Sequence, residues 1–346
     1  MINYGQSKLD RGEALSNFEM YSLCQAYFRM RDYERLKACN TVLLPRLEQS
    51  GYRHDLGSRL KPDAALVEPL CWQAFAALEI GEFENAMELS LEAQERGNRA
   101  AGRYIGGAIF RLRPKLPLML AYAHQGETQK AMAILNELKS KQSSYFTWGE
   151  ENAAYLGQAY LLLGQPESAI KILEDGHLFQ DDKYRAALRR VMLAKAKKSV
   201  GRLDEARSLL EQLANDPIVR ESRDILYVVL LELSELLAQQ GGFVSAEQHL
   251  RRAVDATEGV RATLSTEAAK IGFSRGLQAA YGLLVEVLVE QGKAREGLEY
   301  AERGKARALV DTLASKSVFP RKRLSQDTSA LLLEFENLQT QGKSSG

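Results

Sequence analysis

The chain is poor in the residues that usually carry chemistry. Its 346 residues hold only three cysteines and four histidines. His54, His124, His177 and His249 are scattered singly, so no His-x-x-x-His pair offers two metal ligands on one helix face. Cys24, Cys39 and Cys71 are odd in number and unlike a metal-binding pair in spacing. Each falls in a helical pattern, which predicts three small buried hydrophobes. All three precede residue 72, whereas three of the four histidines follow residue 123, which argues against a Cys–His nucleophile. Charge of one sign is also missing. With 46 basic and 45 acidic side chains the net charge is +1, which speaks against wholesale binding to nucleic acid or to an anionic membrane. No apolar run approaches the roughly 20 residues that span a bilayer, and the stretch from Met1 to Lys8 lacks a basic-then-apolar export signal. The expectation is a cytoplasmic protein with no cofactor, no bound metal and no membrane span. Proline is scarce, at eight residues, and 45% of the chain is apolar, a balance that suits long helices around a large core.

What the sequence does have is one turn, used repeatedly. At Gly164-Gln165-Pro166-Glu167-Ser168-Ala169 an apolar helix ends on a glycine that can adopt the left-handed conformation. Pro166 suits the first turn of the next helix, and Glu167 sets negative charge against its exposed amides. Related turns begin at Gly81, Gly126, Gly201, Gly241 and Gly292, each with a small residue five positions on, as Ala169 is after Gly164: Ala86, Ala131, Ala206, Ala246 and Gly297. Successive glycines are separated by 45, 38, 37, 40 and 51 residues. Four positions before the glycine stand Tyr122, Tyr160, Leu237 and Leu288; nine after it stand Leu135, Leu173, Leu210 and Leu250. Self-similarity at this period predicts an all-α, right-handed superhelical solenoid of about seven helix hairpins.

The pattern of small residue and aromatic before a glycine turn, then alanine and leucine after it, resembles the tetratricopeptide repeat, most closely from Leu156-Gly157 through Tyr160 and Ala169 to Leu173. That family repeats every 34 residues, so the longer spacings here imply extended helices or linkers. The resemblance implies a groove on the first helices of each pair, with His124, Gln158, Lys195, Lys198 and Glu235 as candidate binders of a protein or peptide. The cluster Arg189, Arg190, Lys195, Lys197, Lys198 and Arg202 reads first as solvated charge near a helix end, and second as a strip for an acidic peptide.

Four further segments have their own expectations. Residues 50–62 read as a loop, followed by a helix from Pro69 to Ile80. Gly97 to Arg113, rich in glycine and arginine but lacking a Gly-x-x-x-x-Gly-Lys-Ser/Thr pattern, reads as a distorted helix or loop rather than a phosphate cradle. Gly259 to Gly282 reads as a long helix. Residues 1–315 are expected to form the array, and 316–346 a basic linker at Arg321-Lys322-Arg323, a terminal helix and a polar tail.

The helix Tyr300 to Leu313 is the most specific string. Tyr300, Glu302, Arg303, Lys305, Arg307 and Leu309 resemble the segment that closes the repeat array in CHAT proteins, caspase-like peptidases associated with tetratricopeptide repeats. That family's His-Gly and Leu-Ser-Ala-Cys-like strings do not occur. The resemblance therefore implies the non-enzymatic repeat part of a longer or degenerate protein, a scaffold that positions or regulates a CHAT-type peptidase domain lying downstream. Two other functions fit a helical array. One is the ligand- or peptide-sensing arm of a signalling or transcriptional regulator. The other is an enzyme in its own right.

Overall fold

A computed structural model describes residues 8, 11, 13–29, 32–53, 59–79, 81–102, 108–140, 150–174, 183–261 and 267–316. The expectations for residues 317–346 lie outside them, as does His177. The fold is all-helical apart from one small ladder. The helices are α1 Asn17–Arg29, α2 Tyr33–Ser50, α3 Pro62–Glu79, α4 Phe83–Ala101, α5 Ala108–Leu112, α6 Lys115–His124, α7 Thr128–Ser140 and α8 Glu150–Leu162. They continue as α9 Pro166–Glu174, α10 Lys183–Ser199, α11 Leu203–Asn215, α12 Pro217–Glu221, α13 Arg223–Gln239, α14 Phe243–Arg261, α15 Glu267–Glu290 and α16 Ala294–Lys316. β1 Tyr52–Arg53 and β2 Arg59–Leu60 pair antiparallel, so the described ends of the expected 50–62 loop are tied together.

The six glycines do what the sequence asks of them. Gly81, Gly126, Gly164, Gly201, Gly241 and Gly292 all have φ between 70° and 81°. At each turn the residue after the glycine donates its N–H to the carbonyl five positions back, as Gln165 does to Tyr160 at 2.8 Å and Arg202 to Lys197 at 2.9 Å. The glycine N–H reaches the carbonyl three back, Gly164 to Leu161 at 3.1 Å. Together these bonds form the Schellman closure, which satisfies carbonyls that a helix end would leave bare. The following helix starts in the same register every time: the residue five after the glycine donates to the carbonyl one after it, as Ala169 does to Gln165 at 3.1 Å.

That register sets the packing. Ala86, Ala131, Ala169, Ala206 and Ala246 are fully buried, and Leu135, Leu173, Leu210 and Leu250 are at most 1% exposed. The helices pack in chain order: α3 on α4, α6 on α7, α8 on α9, α10 on α11, α13 on α14 and α15 on α16. Each first helix also meets the first helix of the next pair, α6 with α8, α8 with α10, and α10 with α13. Buried apolar side chains form one large cluster from α1 to α10, another from α10 to α15 and a small third at Ala77, Ala86 and Ala121, with Met192 packed against the first two.

Two expectations need correction, the start of α3 and the state of the cysteines. The helix expected to begin at Pro69 begins at Pro62, with Pro69 inside it. Alanine, leucine and valine at 64–67 extend its apolar pattern toward the N-terminus, and Asp63 supplies charge to its first turn. The segment from Gly97 is helical as far as Ala101, and α5 follows at Ala108; residues 103–107 lie outside the described residues. Gly97 is the point of closest approach, since a Cβ there would sit 2.0 Å from the Phe110 carbonyl oxygen. Finally, Cys24 and Cys39 are not separate buried hydrophobes. They form a disulfide between α1 and α2, while Cys71 is fully buried in α3. Such a bond persists under oxidising conditions, which the expectation of a cytoplasmic protein did not anticipate.

Candidate functional site

The register places Gln158, Lys195 and Glu235 six residues before the glycines of three successive turns, on α8, α10 and α13. The structure joins two of them through a residue the sequence reading passed over. Lys195 Nζ lies 2.9 Å from Glu232, and Lys198 Nζ bonds Glu232 and, at 2.6 Å, Glu235. Glu232 is 7% exposed. Burial opposes its ionisation, but the Lys195 and Lys198 ammonium groups outweigh that and hold its carboxyl below the usual range. Burial likewise opposes charge on Lys198, and the two carboxylates outweigh it, so its pKa rises. The hydroxyl of Tyr227 is pushed up by burial and by the negative field of Glu235 and Glu232. Glu232 was legible as a partner of Glu235, since residues three apart share a helix face.

Gln158 and His124 stand apart from this network. Gln158 is half-buried on α8. The His124 ring stacks on Phe83 with centroids 4.6 Å apart, and burial lowers its pKa. The first helices before α10 present aromatic rings instead. Trp72 meets Tyr21 at 4.9 Å and Phe28 at 6.0 Å, and Phe75 stacks on Tyr155 at 4.2 Å. One face thus changes from buried aromatics to interlocked charge as it passes from α3 to α13.

The surrounding basic cluster is extensively paired, with Lys197 buried and Arg202 still exposed to solvent. Lys197 occupies the site four before its glycine, where four of the other glycine turns hold tyrosine or leucine. It is 7% exposed and reaches Glu174 at 2.8 Å and Glu205 at 2.9 Å. Arg202 pairs with Glu205 at 2.5 Å, Arg190 with Asp216 at 3.6 Å, and Arg189 donates to the Leu173 carbonyl. Two arginines of the 97–113 segment are also engaged: Arg99 with Asp63 at 3.1 Å and Arg113 with Glu68 at 3.0 Å, both on α3. The acids that neutralise them lie 36 and 45 residues away, beyond the reach of local reading.

The motif helix is put to structural use. Two guanidinium groups approach the Tyr300 ring, Arg251 at 5.2 Å and Arg303 at 4.9 Å from its centroid. Arg251 also donates to the Tyr300 hydroxyl at 2.8 Å and reaches Glu296 at 2.5 Å and Glu247 at 2.8 Å. Glu247 is 8% exposed. Burial alone would raise its carboxyl, but Lys293, Arg251 and Gln291 hold it at about 2. Tyr281 packs against Gly304, whose Cβ would lie 3.4 Å from the tyrosine Cβ. Glu302 and Lys305 pair with each other at 3.0 Å on the exposed side. Arg307 and Leu309 fall within the helix but outside the described side chains. Together these contacts clasp α16 to α14 and α15.

Among the described residues no cluster of histidine, cysteine, aspartate and glutamate could hold a metal ion, and no helix is long and apolar enough to cross a membrane. No family model matches the chain, and no curated protein does.

Proposed function

We propose that the chain is a protein-interaction scaffold, a right-handed superhelical solenoid of about seven tetratricopeptide-like hairpins. The single observation that carries this reading is the sixfold repetition of one hydrogen-bonded glycine turn, each followed by a residue fixed in the same register. A chain built this way carries its first helices side by side, so residues at one register position form a continuous face for a partner. Gln158, Lys195 and Glu235 share such a position, and Lys198 and His124 border it.

The string from Tyr300 to Leu309 supports a specific partner, a CHAT-type cysteine peptidase domain, which the scaffold would position or restrain. The clasp of Tyr300 by Arg251 and Arg303 would give such a domain a rigid point of departure. On this reading the chain itself performs no catalysis. The test is to extend the natural reading frame past Gly346, express any domain found there, and titrate it against this chain. Saturable binding that weakens at least tenfold in a Lys195→Glu/Glu235→Lys variant supports the scaffold. Lack of binding, or hydrolytic activity of this chain that one Cys or His substitution abolishes, overturns it.

A further inference from the structure

The first hairpin, α1–α2, follows the common register with different residues in the key places. Asp32 N–H donates to the Tyr27 carbonyl at 3.0 Å and Leu36 N–H to the Asp32 carbonyl at 2.9 Å, the two bonds that frame every glycine turn. This puts position 31 where the other pairs have glycine, and the sequence there reads arginine. Five residues on, where the other pairs have a buried alanine or glycine, stands fully buried Leu36. Nine residues on, where four pairs have leucine, stands fully buried Asn40. Its Nδ2 donates to the Pro69 carbonyl at 3.2 Å, but its Oδ1 has no partner. An amide oxygen buried without a partner opposes folding. This pair therefore lacks the glycine and the small contact shared by all the others, and the leucine that four of them have.

In their place it has a covalent bond. Cys24 and Cys39, seven before and eight after position 31, are disulfide-bonded at the site where other pairs set apolar side chains such as Met119 with Ile134 and Ala194 with Leu209. We propose that Cys24–Cys39 is a redox latch: oxidised, it holds the α1–α2 hairpin closed over Trp72 and Phe75, and reduced, it lets that hairpin open while later pairs stay folded. Tyr21 and Phe28 of α1 are the rings that cover Trp72, and Phe28 also meets Phe75 at 5.9 Å. This inference goes beyond the scaffold reading and does not depend on it.

The exchange is an ordinary two-electron step with a dithiol reductant. A reductant thiolate attacks Sγ of Cys39, which is 8% exposed against 0% for Cys24, and the Cys24 thiolate leaves. The reductant's second thiolate then attacks the mixed disulfide and releases Cys39. The two electrons and two protons end on the Cys24 and Cys39 thiols, and the reductant becomes a disulfide. Because both residues are buried, exchange proceeds through brief local openings of the oxidised hairpin, and loss of the crosslink then makes the open state far more populated.

Three measurements on the full chain test this. Under denaturing, non-reducing conditions, alkylation and mass analysis of the air-oxidised chain should label Cys71 alone; labelling of all three cysteines overturns the proposal. Hydrogen exchange with and without a phosphine reductant should show amides of residues 17–29 and 33–50 exchanging about a hundredfold faster when reduced, the scale expected for a crosslink spanning 15 residues. Residues 203–254 should not change. Equal exchange in the two states, or uniform acceleration along the chain, overturns the latch. In a Trp148→Phe background Trp72 is the sole tryptophan, and its emission should shift to the red on reduction; an unchanged spectrum counts against the opening. A Cys24→Ser/Cys39→Ser variant should match the reduced state, and if it fails to fold the reductant titration still decides.

Discussion

At the scale of single residues, three glycines make three different predictions. Gly164 has φ +70° and open space where a side chain would lie. Alanine there meets only the left-handed backbone penalty, and Gly164→Ala should destabilise the chain by about 1–2 kcal/mol in urea denaturation. Gly157 has no such φ, but a Cβ there would come within 2.7 Å of the Leu173 side chain. Gly157→Ala should cost about 1–3 kcal/mol through overpacking, and Gly157→Ala/Leu173→Ala should recover part of that loss. Gly297 stands where the other turns place alanine. A Cβ there meets Val289, Val285 and Leu288 at 3.5–3.8 Å, ordinary contact distances. Gly297→Ala should therefore stabilise by up to about 1 kcal/mol, visible as a rise in the urea midpoint at unchanged slope. The N-terminus of α1 carries a capping box that sequence reading overlooked. Ser16 N–H donates to Glu19 at 2.9 Å and Glu19 N–H donates to Ser16 Oγ at 3.2 Å.

At the scale of elements, the turns were the legible part and the polar contacts were not. A helix end is decided within six residues, so Gly81 through Gly292 announce themselves locally. The bonds from Lys195 and Lys198 to Glu232 join helices more than 30 residues apart, and only the packing of α10 on α13 creates them. The Cys24–Cys39 bond was hidden for a related reason. A separation of 15 has no fixed meaning until the hairpin register sets one cysteine opposite the other. Charged contacts between elements also predict how the fold meets acid. Hydrogen bonds from Arg202 and then Lys197 hold Glu205 at about 2, and Glu247 is held at about 2 against its burial. With folded values below the roughly 4.3 of an unfolded glutamate, their contribution is complete above that pH and is lost as pH falls toward 2. Stability measured from pH 5 to 2 should therefore decline, and Glu247→Gln should flatten the decline while lowering stability at pH 7. Lys197 offers a contrast. Its ion pairs replace the apolar contact found at this position in other turns, and Glu174 and Glu205 keep access to water. Lys197→Leu should be close to neutral or stabilising, whereas Lys197→Ala, which leaves a gap, should destabilise by about 1–3 kcal/mol.

At the scale of the whole molecule, the repeated register makes each helix answer chiefly to its neighbours. Aromatic rings fill one face from α1 to α8, paired charges join α10 to α13, and the Tyr300 clasp holds α16. If the chain is a stack of hairpins, damage in one pair should weaken that pair and its neighbours and fade with distance. A domain with one cooperative core would instead lose protection everywhere at once. Native-state hydrogen exchange of Gly157→Ala against the unsubstituted chain distinguishes the two. The account predicts faster exchange in residues 150–174 and the adjoining α7 and α10, with residues 243–256 and 280–300 unchanged. A uniform increase across all the helices would contradict it.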